Sequence, residues 1–166
     1  KRYKDGKEME SFRILVYDEP GSTVRTNAAN KIAEQLNAVG IPAYVATWSR
    51  ASVLQKLQSG DYSLALAAFN FDVAPDPGFT LTSTASCNYT RYRSDDMNAL
   101  LTQLRSSELS GDYQNAMSLI QDQFEQDMPY ICLYWRAGAL LSRNAFTDAR
   151  DIRELELLRG VESYTD

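Results

Sequence analysis

Four carboxylates, Asp72, Asp76, Asp95 and Asp96, fall within one stretch of this chain. Paired carboxylates can serve glycoside hydrolysis or hold a hard cation. For three of them the spacing argues for simpler work. Asp76 lies between Pro75 and Pro77, where an aspartate builds a turn. Asp95 and Asp96 follow Ser94 and read as the capped, acidic first turn of a helix. Asp72 stands apart. It follows an apolar run, at what would be the carboxyl end of a strand, where open α/β sheets bind ligands. Phe69 and Phe71 flank it. A carboxylate so placed can hold a cationic group while the rings cover the ligand. An ordinary Asx-turn is the competing reading.

Composition removes much other chemistry. The 166 residues contain no His, so Ser-His-Asp and Cys-His catalysis and imidazole-based zinc sites are excluded. Neither GxxxxGK[ST] nor GxGxxG occurs, which excludes those phosphate cradles. The loop Glu19-Pro20-Gly21-Ser22-Thr23 would take an anion only through a helix N-terminus. The net charge is −5, which argues against nucleic acid or an anionic membrane as partner. Apolar residues reach 44 %, enough for a core in one domain of this length. The two cysteines, Cys87 and Cys132, form no CxxC pair. They read as buried thiols, with a single disulfide as the alternative in an exported chain.

The elements that must position these groups follow from periodicity. Phe12–Tyr17 reads as a buried strand. A helix follows over 25–39, with Gly40 as its stop. A strand over 41–48, a helix over 49–58 ending at Gly60 and a nearly continuous apolar strand over 62–69 complete a β-α-β-α-β order. That order implies a parallel sheet flanked by helices, the last strand covered on both faces. Residues 70–92 lack periodicity and read as a functional or mobile loop. Two helices, 94–107 and 112–127, are separated at Gly111 and read as an antiparallel pair. Leu119 is expected inward on the second. Residues 130–135 read as a fourth strand, and 137–142 as its extension. The tail from 144 reads as a short helix or strand. Residues 1–11 read as a charged linker or hairpin arm, either a flexible terminus or the mark of a cut from a longer protein. Trp48, Tyr89, Tyr92, Tyr134 and Trp135 fall at strand ends or in the loop, where aromatics pack a rim or line a cleft.

The order of short motifs resembles the C-terminal lobe of the family 5 extracellular solute-binding proteins, the dipeptide and oligopeptide receptors of ABC importers. Ala28 to Ile41 is similar to the family's helix running into L-x-x-x-G-I. Gly60-Asp61-Tyr62-Ser63-Leu64 is similar to its G-D-Y-D-L strand entry, and Asp72 to Pro77 to its D-x-x-D-P loop. Asn88 to Tyr92 with Ser94 to Leu101, and then Asp127 to Leu133, resemble its N-x-x-x-Y … D-x-L-L and D-x-P-x-I-x-L elements. The likeness runs over about residues 10–145.

The resemblance implies an α/β, periplasmic-binding-protein-like (type II) lobe with a mostly parallel sheet. Residues 12–145 would form the lobe and 146–166 its tail. It implies a non-enzymatic protein without cofactor, catalytic residue or metal. Its partners would be a peptide or other small solute, an N-terminal lobe of the same protein and the membrane subunits of the importer. It would act as a monomer, in the periplasm or lipid-anchored on the outer face of the membrane. Asp72 matches the aspartate that pairs with a peptide's α-ammonium group. The candidate ligand-binding residues are Asp72, Phe69, Asn70, Phe71, Tyr89 and Tyr92. A small α/β hydrolase using acidic residues is the alternative. A flavodoxin-like phosphoacceptor domain fails for want of a lysine after Lys56.

Overall fold

A computed structural model describes residues 2–71 and 75–135. The chain divides into two compact units. One comprises residues up to Phe69 together with Ser83–Tyr92; the other comprises Asn70–Thr82 and the residues from Arg93 onward.

The first unit opens with a small antiparallel hairpin, β1 (Tyr3–Lys4) and β2 (Lys7–Glu8). Asp5 and Gly6 both take positive φ, 51° and 77°, as a two-residue Asp-Gly turn demands. The expected arm is therefore a hairpin. Next come β3 (Phe12–Tyr17), α1 (Val24–Ala38), β4 (Ala43–Trp48), α2 (Arg50–Ser59) and β5 (Leu64–Ala65). The sheet order is β4-β3-β5, all parallel. Alternation along β3 divides the core. Ile14 and Val16 meet Ala29 and Ala33 of α1. Leu15, one residue out of phase, meets Val53 and Leu57 of α2. Ile14, Leu15 and Val16 are all 0 % exposed, because helices cover both faces of the strand.

The ends of these elements are set locally. After α1 the Gly40 N–H donates to the Asn37 carbonyl and the Ile41 N–H to the Leu36 carbonyl. The Asn37 side chain then brackets Ala43, donating to its carbonyl at 2.8 Å and accepting from its N–H at 3.1 Å. The Ser49 hydroxyl accepts from the Ser52 N–H and caps α2. Gly60, left-handed at φ 77°, ends it.

β5 is much shorter than the expected strand over 62–69. Leu64 is exposed rather than covered on both faces. The Leu66 N–H still donates to the Leu15 carbonyl, but residues 67–69 carry no ladder among the described residues.

In the second unit, α3 (Gly78–Leu81) interrupts what the sequence suggests is an unbroken loop. It is followed by α4 (Asp95–Arg105) and α5 (Ser110–Asp127). α4 packs against both α3 and α5. Leu81, Met97, Leu101, Leu104, Ala116 and Ile120 are buried. Ser94 caps α4 by accepting from the Met97 N–H at 3.2 Å, and Asp95 and Asp96 occupy its first turn.

Three expectations here are corrected. Gly111 does not separate the helices. It lies in the first turn of α5, where backbone N–H groups lack helical partners and a glycine costs little. Leu119 points away from the core, at 40 % exposure, because the buried stripe runs through Ala116 and Ile120 at a spacing of four. Among the described residues Tyr130–Trp135 forms no strand. No ladder partner reaches it among the described residues, and Ile131 and Trp135 are exposed. The expected extension over 137–142 and the tail from 144 lie outside the described residues.

Candidate ligand-binding site

The candidate residues fall in both units. In the first, the rings of Phe69 and Tyr89 stack at 6.2 Å between centroids and 22° between planes. Tyr89 sits on the segment Ser83–Tyr92, which is tied down at several points. The Tyr62 hydroxyl donates to the Tyr89 carbonyl at 2.8 Å. The Asn88 side chain accepts from the Tyr92 N–H and donates to the Tyr92 carbonyl, closing a loop that brings Tyr92 in. Arg91, at φ 59°, donates to the Ser59 carbonyl at the end of α2 at 2.6 Å. Burial, then the neighbouring Cys87, pushes the Tyr89 phenol above its ordinary pKa.

Cys87 and Cys132 are free thiols. Neither is buried, contrary to the sequence expectation: Cys87 is half-buried and Cys132 exposed.

In the second unit, Asn70 is exposed and Phe71 half-buried. The Phe71 ring meets Phe79 edge-on at 5.3 Å and Trp135 at 6.1 Å. Asp72 lies outside the described residues. Asp76 builds the expected turn by accepting from the Gly78 N–H at 2.7 Å. It also receives Arg105 Nε at 2.7 Å. The Tyr113 hydroxyl donates to the Pro75 carbonyl at 2.7 Å. Burial opposes ionisation of Asp76, but the bonds from Arg105 and Gly78 prevail and hold its carboxyl below the ordinary value. A general acid working near neutrality needs the opposite shift. Among the described residues no cluster of three or more potential ligands could hold a metal, and no helix is long and apolar enough to cross a membrane.

Sequence reasoning missed the arginines. Arg25 is only 5 % exposed at the start of α1. Its guanidinium lies over the Tyr17 ring at 3.9 Å and pairs with Glu19 at 3.4 Å, while its Nε has no partner. A carboxylate arriving there would compete with Glu19. The signal was spacing: Arg25, Ala29 and Ala33 form one buried stripe at intervals of four. A hollow of about 300 Å³, lined by Trp48, Ser52, Gln55, Lys56, Ser59 and Asp61, contains none of the candidate residues. Lys56 there is taken up by Asp61 and by the face of Trp48.

No protein-family model matches the chain, and no curated protein matches it in sequence. Solved structures do. The oligopeptide-binding protein AppA from Bacillus subtilis, in complex with a nonapeptide, superposes with a TM-score of 0.67 at 22 % identity. The match covers 77 % of this chain and 26 % of AppA. The periplasmic binding protein DppA from Helicobacter pylori, in complex with the peptide STSA, gives 0.62 at 20 % identity over 76 % of this chain and 26 % of its own. The murein tripeptide binding protein MppA from Escherichia coli gives 0.65 at 16 % identity over 76 % and 25 %. The likeness establishes the fold. It is the α/β, periplasmic-binding-protein-like architecture expected from the motif order. The chain spans about a quarter of the length of these three structures. All three carry the name of binding proteins.

Proposed function

We propose that this chain is one lobe of a two-lobed solute-binding protein that captures peptides for an ABC importer. The observation that carries the reading is the shared fold with several peptide-binding proteins over three quarters of the chain. The order of short motifs supports it independently. Residues 12–145 form the lobe, and a second lobe of the same protein closes on the ligand by domain motion. The role is binding without catalysis, as a monomer, in the periplasm or anchored by lipid outside the membrane.

In this reading the Asp72 carboxylate pairs with the peptide's α-ammonium group, a charge-assisted contact present in every free peptide. Phe69, Asn70, Phe71, Tyr89 and Tyr92 are the further residues assigned to ligand contact in this reading. The stacking of Phe69 on Tyr89 supports a shared role for that pair.

The test is native mass spectrometry of the whole protein purified from its host. A ladder of co-purifying peptide masses supports the reading, and Asp72→Ala then abolishes it. A single non-peptide mass keeps a binding role but overturns the peptide. Turnover of an offered peptide or glycoside overturns the non-enzymatic role.

A further inference from the structure

β4 is an outer strand of its sheet, with β3 its one ladder partner among the described residues. Along a strand the backbone groups of successive residues point to opposite sides. The Phe12 N–H donates to the Pro42 carbonyl and the Asp18 N–H to the Trp48 carbonyl. The even positions of β4 therefore turn their backbone groups to β3, and Ala43, Val45 and Thr47 turn theirs outward. The Asn37 amide occupies both groups of Ala43. Val45 and Thr47 remain, each with an outward N–H and C=O that no ladder among the described residues takes up. Their own strand does not guard them. Natural edges carry a lysine, a proline or a bulge. Ala43–Trp48 has no charge and no proline, and its ladder with β3 runs without a bulge. Tyr44 and Trp48 share one face of the strand with Ala46 between them, and both rings are exposed.

We infer that this edge is a pairing surface for a second copy of the chain, antiparallel, with Ala46 on the two-fold axis. In that register Val45 of each copy lies opposite Thr47 of the other. The two pairs exchange four N–H···O=C bonds, which uses every free group of the edge. Any extended strand answers such groups; the side chains and the register favour this same strand. Tyr44 falls opposite Trp48 twice, an aromatic cross-strand pair on the face where both rings are exposed. Ala46 meets Ala46 at the non-hydrogen-bonded position, where the backbones come closest, about 4.5 Å between Cα atoms. The strand holds no charge, so two chains of net charge −5 meet here without opposing like charges. Moving the axis to Val45 would need the Ala43 groups, which Asn37 already holds. The contact is isologous and closed, so it stops at two copies. Its few contacts bury less than the roughly 1,200 Å² of a stable interface, which makes the association weak. The inference goes beyond the reading above and does not rest on it. Each copy takes its ligand alone, and the pair forms only where copies are concentrated.

The experiment is sedimentation equilibrium of the whole protein from about 1 μM to 1 mM, with amide hydrogen exchange at both ends of that range. The expected result is a monomer–dimer equilibrium, with protection at the Val45 and Thr47 amides that rises with concentration. Thr47→Pro removes an outward N–H that the β3 ladder does not use and holds the chain monomeric. If it does not fold, Ala46→Lys and Ala46→Glu are read in its place. Each alone sets like charges against each other at the axis and stays monomeric, and the two mixed associate. A wild type that is monomeric over the whole range, with both amides unprotected, overturns the inference. A monomer whose two amides are protected at every concentration also overturns it, and gives the edge to another segment of the same protein. A dimer that these variants leave intact, or that adds no protection at Val45 and Thr47, places the contact elsewhere and overturns it too.

Discussion

The Arg91 guanidinium donates to the Ser59 carbonyl at 2.6 Å, closing the end of α2 with a cation from a distant segment. The position favours it, since a cation suits a helix C-terminus. Gly60, next in sequence, has φ 77°, and a Cβ there would lie 2.6 Å from Arg91 Nη2. Gly60→Ala therefore meets two penalties, the left-handed backbone and the displaced guanidinium. It costs about 1–2 kcal/mol in urea unfolding. In an Arg91→Ala background the same change costs about 1 kcal/mol, the backbone share alone. Equal costs in the two backgrounds would show that the approach of Arg91 does not matter.

Asp76 supplies a pH prediction. Its folded pKa lies below the ordinary 3.8 through the bonds from Arg105 and Gly78, despite the opposing effect of burial. A depressed carboxylate stabilises the fold above its unfolded pKa, and that contribution is lost as pH falls through the folded value. Wild type should thus lose stability from near pH 3.8 downward by an increment missing from Asp76→Asn. The side chain is 42 % exposed, so salt should shrink the increment. Identical acid profiles for the two proteins would remove the Arg105–Asp76 pair from the stability of the unit.

The corrected face of α5 can be checked by a pair of truncations. Leu101 on α4 is 1 % exposed and Leu119 on α5 is 40 % exposed. Leu101→Ala should cost about 2–5 kcal/mol through lost burial and a cavity. Leu119→Ala should stay within about 0.5 kcal/mol of wild type. Comparable losses at the two positions would restore the face predicted from sequence.

Arg25 is a buried cation with a carboxylate partner, Glu19, and an aromatic bed, Tyr17. Arg25→Ala should destabilise the protein by about 2–3 kcal/mol, removing the buried guanidinium from beside Glu19 and from the face of Tyr17. Arg25→Lys should recover only part of the loss, since an ammonium group cannot stack as a plane. Full recovery by lysine in a urea titration would reduce the interaction to charge alone.

Periodicity carried the first unit well. The apolar run of β3 and the glycines after α1 and α2 mark elements that the structure has within a residue or two. It failed where tertiary context decides. Residues 62–69 are apolar enough for a long strand, yet only Leu64–Ala65 finds a ladder partner among those described. Residues 130–135 share that composition but find no ladder partner among the described residues. Asp76 as a turn former was legible because its prolines sit beside it in sequence. Arg105 was not, because its partner lies 29 positions away and nothing local to α4 announces it. Of the candidate site, the stacked pair Phe69 and Tyr89 and the place of Phe71 are now fixed within their units. The part given to Asp72 rests on the resemblance.

The bracket that Asn37 places on Ala43 has a consequence for alignment. A strand usually finds its register because slipping by one residue would turn greasy side chains to water. β3 offers no such warning over Ile14, Leu15 and Val16, since both of its faces are covered and all three side chains are apolar. On β4 the two faces do differ: Ala43 and Val45 pack against the α1 core while Tyr44 between them is exposed. Ala43 pairs with Phe12 at the first rung, and the Asn37 amide holds Ala43 by both of its backbone groups. One polar side chain at a helix end thereby fixes where β4 begins relative to α1, and β3 pairs with it from that first residue.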